Sequence, residues 1–319
     1  MSAEFLSLSR AYSILYARSL EKSRFALVSR SRKEFLIRNH FGKLTVQLFF
    51  DLSKALSATK LIECGANDAS VSKRFINEAP GRSATAIEAS PFVYENFKNT
   101  NISKGLTYIQ VGLSNKKSVI EFNIPKVTDE STSIFGSFQK LPQYYSEYSS
   151  VPVKVEKLDT VMNVSAQMNA PTVMWVDVEG EAFKVLQGAS KTLANKNTIM
   201  IYIEVQESTH YKSERRAIEI VELLESFGFV PVARDFPLAD LYNLLLIKQS
   251  SLTDAVPSLN RYWASLSAIK TPIVEFRKPS QTLSNLKRIL LRFIPEMFWP
   301  ALHRFFAFFG SKSSQKLRN

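Results

Sequence analysis

The chain has 319 residues, of which 45% are hydrophobic and 22% charged, a composition that excludes a disordered or fibrous protein and predicts a globular one. Its single cysteine, Cys64, excludes an intramolecular disulfide and a thiolate pair for zinc, and it predicts a reducing, cytoplasmic compartment. The formal net charge is +12, but residues 1–45 carry +6 and residues 276–319 carry +8, which leaves −2 for the residues between them.

This charge distribution predicts three segments along the chain. They are a basic, helical N-terminal extension at 1–45, a main domain at 46–250 and a basic, aromatic-rich C-terminal extension at 251–319. The first 30 residues are rich in Ser and Arg and have no long apolar run, which argues against a secretory signal. An organelle transit peptide is an alternative, against which Glu4 and Glu21 count.

From residue 59 onward, short β-like runs alternate with amphipathic helical stretches. This order predicts an α/β fold with a mostly parallel, seven-stranded sheet that carries helices on both faces. The predicted strands are Thr59–Cys64, Ala84–Glu88, Thr107–Val111, Val173–Asp177, Thr198–Val205, Phe229–Ala233 and Tyr242–Lys248. The predicted helices are Ala69–Asn77, Pro91–Asn99, Glu181–Leu193 and Arg215–Phe227.

The loop after the first predicted strand lies in "LIECGANDAS", residues 61–70. In parallel sheets, ligands bind outside the carboxyl ends of the strands. The loop contains only Gly65, so it lacks the G-x-G-x-x-G of dinucleotide sites and the Gly-Lys-Ser/Thr of phosphate loops. An acid at position 63 would repel phosphate but suits a cation with free hydroxyls, such as S-adenosylmethionine. Glu88 then ends the second strand, where α/β nucleotide folds place a ribose-binding carboxylate.

Residues 114–157 interrupt the alternation. The extended segments "SVIEFNIP" and "VPVKVEKL" flank a Ser/Tyr-rich stretch, residues 131–150, "STSIFGSFQKLPQYYSEYSS". That stretch has little periodicity and is long for a connector, so we interpret it either as a lid over a substrate or as a surface loop without function.

The segment "VMWVDVEGEAFKVLQGA", residues 173–189, predicts a buried strand, a break at Gly180 and a helix that stops at Gly188. Asp177 and Glu179 are then expected at the carboxyl end of the strand and on one of its faces, where they could orient a hydroxyl, hold a cation or act as a base. The alternative is that Asp177 caps the following helix.

Six segments in this order resemble the FkbM family of S-adenosylmethionine-dependent methyltransferases over residues 58–250. They are "LIECGANDAS", "AIEASP", "VGLSN", "VEKLDTV", "WVDVEGEAFKVLQGA" and "IYIEVQE". The resemblance implies a Rossmann-like class I methyltransferase fold, makes 46–250 the methyltransferase domain and implies S-adenosylmethionine as the cofactor. It also implies O-methylation of a hydroxyl on a sugar, a glycan or another small metabolite.

The resemblance also implies the site residues. The cofactor-binding positions are Glu63, Gly65, Ala66, Asn67, Glu88 and Ala89. The acids that match positions facing the transferred methyl group are Asp177, Glu179 and Glu204. We predict Asp177 as the base or the acceptor-orienting group, with Glu204 and His210 as further catalytic candidates. For His210, a lone surface histidine is the alternative and the more frequent explanation. No metal site is predicted, because a cation between Asp177 and Glu204 would have too few ligands.

The sequence departs from the family at Ala69, where a glycine is common, and at Ala182, where a glutamate often stands. These departures would fit a non-catalytic scaffold, whereas the acids at 63, 88 and 177 favour an enzyme. A nucleic-acid methyltransferase would use the basic tails, but "DVEG" stands where its Asp/Asn-Pro-Pro-aromatic signature is expected, so nucleic acid is not an expected partner.

The C-terminal tail contains an aromatic cluster, residues 305–309, beside Arg and Lys. Charged residues and prolines interrupt residues 289–309 too often for a membrane span. We predict peripheral docking to a membrane or to a glycan-assembly complex, with a helix packed on the protein's own core as the alternative.

Overall fold

The computed structural model describes residues 32–125, 136–138, 147–164, 168–207, 215–235 and 241–268, and within these ranges it describes the side chains of residues 40–266. All of these residues belong to one compact unit. His210, most of the Ser/Tyr-rich stretch and the aromatic cluster of the C-terminal tail lie outside the described residues. None of the described helices is long and apolar enough to cross a membrane.

Seven strands form one sheet in the order β3-β2-β1-β7-β8-β10-β9. In chain order the ten strands are β1 Lys60–Cys64, β2 Ser83–Glu88, β3 Leu106–Gln110, β4 Gly112–Leu113, β5 Ser118–Pro125, β6 Tyr148–Glu156, β7 Thr172–Val176, β8 Thr198–Gln206, β9 Phe229–Arg234 and β10 Leu241–Lys248. All seven predicted strands are confirmed within one residue at each end. β1, β2, β3, β7 and β8 pair in parallel, and β10 is antiparallel to both of its neighbours.

Both faces of this sheet are buried, which is why its strands read as nearly continuous apolar runs. In β7, Val173 and Trp175 face one core while Met174 and Val176 face the other. The described helices that cover these faces are α1 Arg32–Ala55, α2 Ser70–Asn77, α3 Pro91–Phe97, α4 Leu158–Val161, α5 Ala182–Gln187, α6 Ser190–Ala194, α7 Ala217–Ser226 and α8 Leu252–Ala268. The α/β architecture with a mostly parallel sheet is therefore confirmed.

The helices α1 and α8 flank the predicted main domain and pack against each other. α1 runs through residue 45, and the Thr45 hydroxyl lies 3.1 Å from the hydroxyl of Tyr262 on α8. Phe49 of α1 contacts Trp175 edge to face, with ring centroids 5.3 Å apart. The boundaries at 45 and 250 stay predictions, but residues on both sides of them contribute to one core.

A smaller sheet, in the order β4-β6-β5, holds the two segments predicted as extended. β5 coincides with "SVIEFNIP" and pairs with β6 antiparallel over its whole length. The helix predicted at Glu181–Leu193 is instead two short helices, α5 and α6, separated at Gly188 and Ala189.

The Asp159 carboxylate caps α6. It accepts hydrogen bonds from the backbone N–H groups of Lys191 and Thr192, both at 2.8 Å. We expect Asp159→Ala to lower the free energy of unfolding by about 1–2 kcal/mol, the usual cost of losing such a cap. Urea denaturation measures this loss, and Asp159→Asn, which keeps one acceptor oxygen, should lose less. An unchanged urea midpoint in Asp159→Ala would contradict the capping role.

Candidate active site

A cavity of about 260 Å³ opens at the carboxyl ends of β1, β2, β7 and β8, where the parallel sheet predicted a ligand site. Seven of the predicted site residues line it, namely Gly65, Asn67, Glu88, Ala89, Asp177, Glu179 and Glu204. These residues come from four strand ends that are far apart in the sequence. The sheet therefore brings four of the six predicted cofactor positions and two of the three predicted catalytic positions to one cavity.

Gly65 lets the first loop cross the strand end that carries Asp177. Its backbone has φ +78°, and a Cβ atom there would lie 1.8 Å from the Asp177 carbonyl oxygen. The Asp177 N–H donates to the Cys64 carbonyl oxygen at 2.9 Å, which fixes the two strand ends side by side. Only glycine fits this crossing, because any side chain would collide with the backbone.

Asn67 and Glu88 connect the first loop to the end of β2. Asn67 is left-handed, with φ +46°, and its N–H donates to Glu88 Oε2 at 2.8 Å. Glu88 Oε1 accepts from the Ser90 N–H at 2.7 Å. Burial raises the pKa of Glu88, while the backbone N–H donors of Ser90 and Asn67 counteract that rise. Because these hydrogen bonds do not use all of its lone pairs, the carboxylate can still accept a hydroxyl from a ligand.

Glu63, near the end of β1, and Ala66, in the first loop, are not among the residues that line the cavity. Glu63 is 3% exposed, and its Oε2 accepts from the Ser72 N–H in the first turn of α2 at 3.0 Å. Burial, with the nearby acids Asp68 and Asp177, raises the pKa of Glu63 to about 7. Ala66 packs inward against Ala69. Their contribution to cofactor binding stays a prediction, and the geometry supports an indirect one through the shape of the loop.

Ala69 explains why a glycine is common at its position in the family. It is left-handed, with φ +56° and ψ +31°, a conformation that costs an alanine about 1 kcal/mol. Its methyl group is fully buried against Ala66 and Ala86. The effect of Ala69 on cofactor affinity stays a prediction.

The expectation that Asp177 and Glu179 share a strand face is wrong. β7 ends at Val176, so both acids lie in the turn that follows it. The capping alternative for Asp177 is not supported either, because α5 begins at Ala182 and its N-cap residue is Glu181. Asp177 lines the cavity, and burial raises its pKa.

Carboxylates dominate the polar lining of the cavity. Five acids line it, namely Glu88, Asp177, Glu179, Glu181 and Glu204, and Glu181 is paired with Lys184 at 2.9 Å. Among the described lining residues there is no Lys, Arg or His. No group of three or more His, Cys, Asp or Glu in the described part of the chain could hold a metal ion. The cavity is therefore suited to a positively charged ligand and to hydroxyl groups.

The cavity also has an apolar lining, which was not predicted from the sequence. Val111 directly follows β3. It could have been predicted, because ligands bind outside the carboxyl ends of parallel strands. Phe122 and Phe138 come from β5 and from the short described segment 136–138, and no local pattern places their rings at the cavity. This lining supplies the apolar surface that a flat organic ligand requires.

The chain matches the family described as methyltransferase FkbM domain over residues 63–231. It is 26% identical over 180 residues to the 2-O-methyltransferase NoeI of Sinorhizobium fredii (strain NBRC 101917 / NGR234), an alignment that covers 53% of this chain and 72% of that protein.

Two solved structures show weak similarity. Magnesium protoporphyrin IX methyltransferase from Synechocystis PCC 6803 with bound SAM is 8% identical, with 76% of this chain and 96% of that chain covered and a TM-score of 0.37. The METTL16 methyltransferase domain is 10% identical, with 62% and 65% covered and a TM-score of 0.37. Similarities at this level carry no conclusion about ligand or activity.

Proposed function

The chain belongs to the FkbM methyltransferase family, and we propose that it methylates a hydroxyl of a sugar, a glycan or another small metabolite. It has the Rossmann-like class I methyltransferase fold, and S-adenosylmethionine is its cofactor. The observation that carries the proposal is that Glu88, on one side of β1, and Asp177 and Glu204, on the other side, line the same cavity.

The residues of the cavity fit this cofactor. Glu88 is held by two loop N–H groups and can accept the ribose hydroxyls with its remaining lone pairs. The acids around the cavity suit the positive charges of the sulfonium and ammonium groups. Val93, Val111 and Leu113 offer apolar surface for the adenine base. A cavity of about 260 Å³ is close to the lower end of the range for small-molecule sites.

The chemistry asked of the protein is alignment and removal of one proton. When bound, the cofactor supplies a methyl group that its positively charged sulfur has already activated. Asp177 accepts the proton of the acceptor hydroxyl, and its raised pKa makes its carboxylate a stronger base than an exposed aspartate. Glu204, on the neighbouring strand end, hydrogen-bonds to the acceptor and fixes its orientation.

Two observations support a hydroxyl acceptor without negative charge. NoeI, to which this chain is 26% identical, is named as a 2-O-methyltransferase. Five carboxylates with no basic side chain among the described lining residues would repel a phosphate chain or another anionic acceptor. This charge pattern disfavours the nucleic-acid alternative, whereas the scaffold alternative requires a measurement of turnover.

Calorimetric titration with S-adenosylmethionine and with S-adenosylhomocysteine tests the cofactor half of the proposal. We expect Glu88→Gln to weaken the binding of both about 30-fold, because the amide nitrogen cannot accept the loop N–H and the negative charge is lost. Glu95→Gln is the matched control, since Glu95 is exposed on the adjacent α3 and pairs with Lys98. Equal affinity in the Glu88 and Glu95 variants would remove Glu88 from the cofactor site.

Transfer of a labelled methyl group to a panel of neutral, cationic and anionic saccharides then tests the acceptor half. We expect transfer to neutral or cationic saccharides. Cofactor binding without transfer to any member of a broad panel would favour the scaffold alternative.

Tyr108 should contribute to cofactor affinity although it does not line the cavity. Its hydroxyl donates to the Asn67 carbonyl oxygen, and its ring stacks on Tyr94 with centroids 5.0 Å apart. Tyr108→Phe keeps the ring but removes the hydrogen bond that holds the first loop. We therefore expect about fivefold weaker binding of S-adenosylhomocysteine, which corresponds to the free energy of one hydrogen bond. Tyr94→Phe is the control and should bind as wild type does. Unchanged affinity in Tyr108→Phe would mean that the loop keeps its shape without this bond.

A further inference from the structure

We propose that the segment Gly136–Phe138, together with Phe122 of β5, is part of the cofactor site and that its two phenyl rings form the wall against which the adenine base packs. This inference rests on the proposed function. It assigns cofactor contacts to a part of the chain outside the four strand ends that supply the predicted site residues.

The two rings form one apolar surface inside the cavity. Phe122 and Phe138 both line it, and they meet edge to face with centroids 5.4 Å apart and an interplanar angle of 77°. Phe122 also belongs to a small apolar cluster that includes Ala89. Ala89 directly follows Glu88, the acid that we assign to the ribose hydroxyls. The base attached to that ribose therefore has this cluster as a neighbouring wall.

Glycines allow the rings to pack directly against backbone. A Cβ atom at Gly136 would lie 2.4 Å from Cε1 of Phe122, and a Cβ atom at Gly112 would lie 2.5 Å from Cζ of Phe138. Both distances are far below contact, so larger residues would push the rings out of place. The position of the aromatic pair is thus set by the chain on two sides.

Ser137 holds the segment to both halves of the site. Its backbone exchanges two hydrogen bonds with Asn123 of β5, at 2.7 and 2.9 Å. Its hydroxyl donates to the carbonyl oxygen of Glu179 at 3.1 Å, in the turn that begins with Asp177. Ser137 is 4% exposed, so these bonds are shielded from water. The segment is therefore connected to the small sheet and to the turn that carries the proposed base.

Contact with the two phenyl rings would stabilise a bound adenine base through dispersion and through the electrostatic attraction between ring edges and ring faces. One aromatic contact contributes about 0.5–1.5 kcal/mol beyond simple burial, which corresponds to a factor of roughly 2 to 10 in affinity. Loss of the ring also removes its buried area from the contact. We therefore expect Phe138→Ala to weaken nucleoside binding by about tenfold.

The experiment is calorimetric titration of the full chain with two probes, S-adenosylhomocysteine and 5′-methylthioadenosine. The second probe has the nucleoside and the thioether but no amino-acid part. Phe138→Ala should weaken both probes by the same factor of about ten, because the lost contact is with the base. The matched control is Phe92→Ala, since Phe92 is 40% exposed on α3 and does not line the cavity. It should bind both probes within twofold of wild type.

Two further variants keep the test decisive. Phe138→Leu retains apolar volume, so it should fold even if Phe138→Ala does not, and it should still weaken both probes. Ser137→Ala keeps both rings and removes the bond to Glu179, so we expect about threefold weaker binding of both. The inference is overturned if Phe138→Ala and Phe138→Leu bind as wild type does, or if only S-adenosylhomocysteine is affected. A wild-type chain that binds neither probe would instead overturn the proposed function.

Discussion

Asp177→Asn is expected to lower the rate of methyl transfer about 10²–10⁴-fold and to change the affinity for S-adenosylhomocysteine less than threefold. The asparagine has nearly the same shape but cannot accept the acceptor's proton, and a positioned general base contributes a factor of this size. The backbone bond from the residue 177 N–H to the Cys64 carbonyl oxygen does not involve the substituted group. The loop and the cofactor cavity should therefore be preserved.

The measurement is transfer of a labelled methyl group at saturating cofactor, using an acceptor found in the saccharide panel. Glu88→Gln is the variant to compare with Asp177→Asn, because it should raise the cofactor KM while kcat changes little. The pH profile gives a second readout. Because burial raises the pKa of Asp177, the wild-type rate should fall on acidification at a pH above the usual aspartate range. A variant that keeps more than a third of wild-type turnover would exclude Asp177 as the base.

Glu63→Gln is expected to make the protein more stable at pH 7.5 by about 2–3 kcal/mol and to leave its stability nearly unchanged at pH 4. The pKa of Glu63 is about 7 in the folded chain, against 4.5 for an ordinary glutamate. Between these values the folded state binds more protons than the unfolded state, so the free energy of unfolding falls as pH rises through this window. A difference of about 2.5 pKa units corresponds to roughly 3 kcal/mol. Glutamine carries no charge to bury and can still accept the Ser72 N–H.

Urea denaturation of both proteins at pH 4, 6 and 7.5 measures this difference. Burial also raises the pKa of Glu88, Asp177 and Asp235. These groups are present in both proteins, so their contributions to the pH dependence of the free energy of unfolding should largely cancel in the difference. Glu95→Gln is the control for the substitution itself, because Glu95 is exposed on the surface of α3. Parallel stability curves for Glu63→Gln and wild type would contradict a raised pKa at position 63.

The sequence allowed the sheet and the location of the site to be predicted. Strands covered on both faces are short apolar runs, and such runs are visible without knowledge of their partners. Gly65, Glu88 and Asp177 were identified because residues at the carboxyl ends of parallel strands converge, whatever the details of the loops. These features depend on local pattern and on a rule of topology.

The tertiary structure decided which of the predicted residues face the cavity. Strand alternation directs Leu61 toward the core that contains Phe75 of α2, and it directs Ile62 toward the opposite core. Glu63 therefore lies on the side of α2, where its carboxylate binds the Ser72 N–H, and not in the cavity wall. The sequence shows an acid at a strand end, but its direction depends on which face each neighbouring helix covers.

The aromatic wall depends still more on the complete fold. Ser137 reaches Asn123 and Glu179, which are 14 and 42 residues away in the sequence. The helices α1 and α8 likewise meet across more than 200 residues, as the contact between Thr45 and Tyr262 shows. Composition and periodicity reflect interactions between residues that are close in the sequence. They were therefore sufficient to predict the strands, the first loop and the acids at its edge. Contacts over such separations arise from the packing of the whole chain, and only the structure could place the phenyl rings at the cavity.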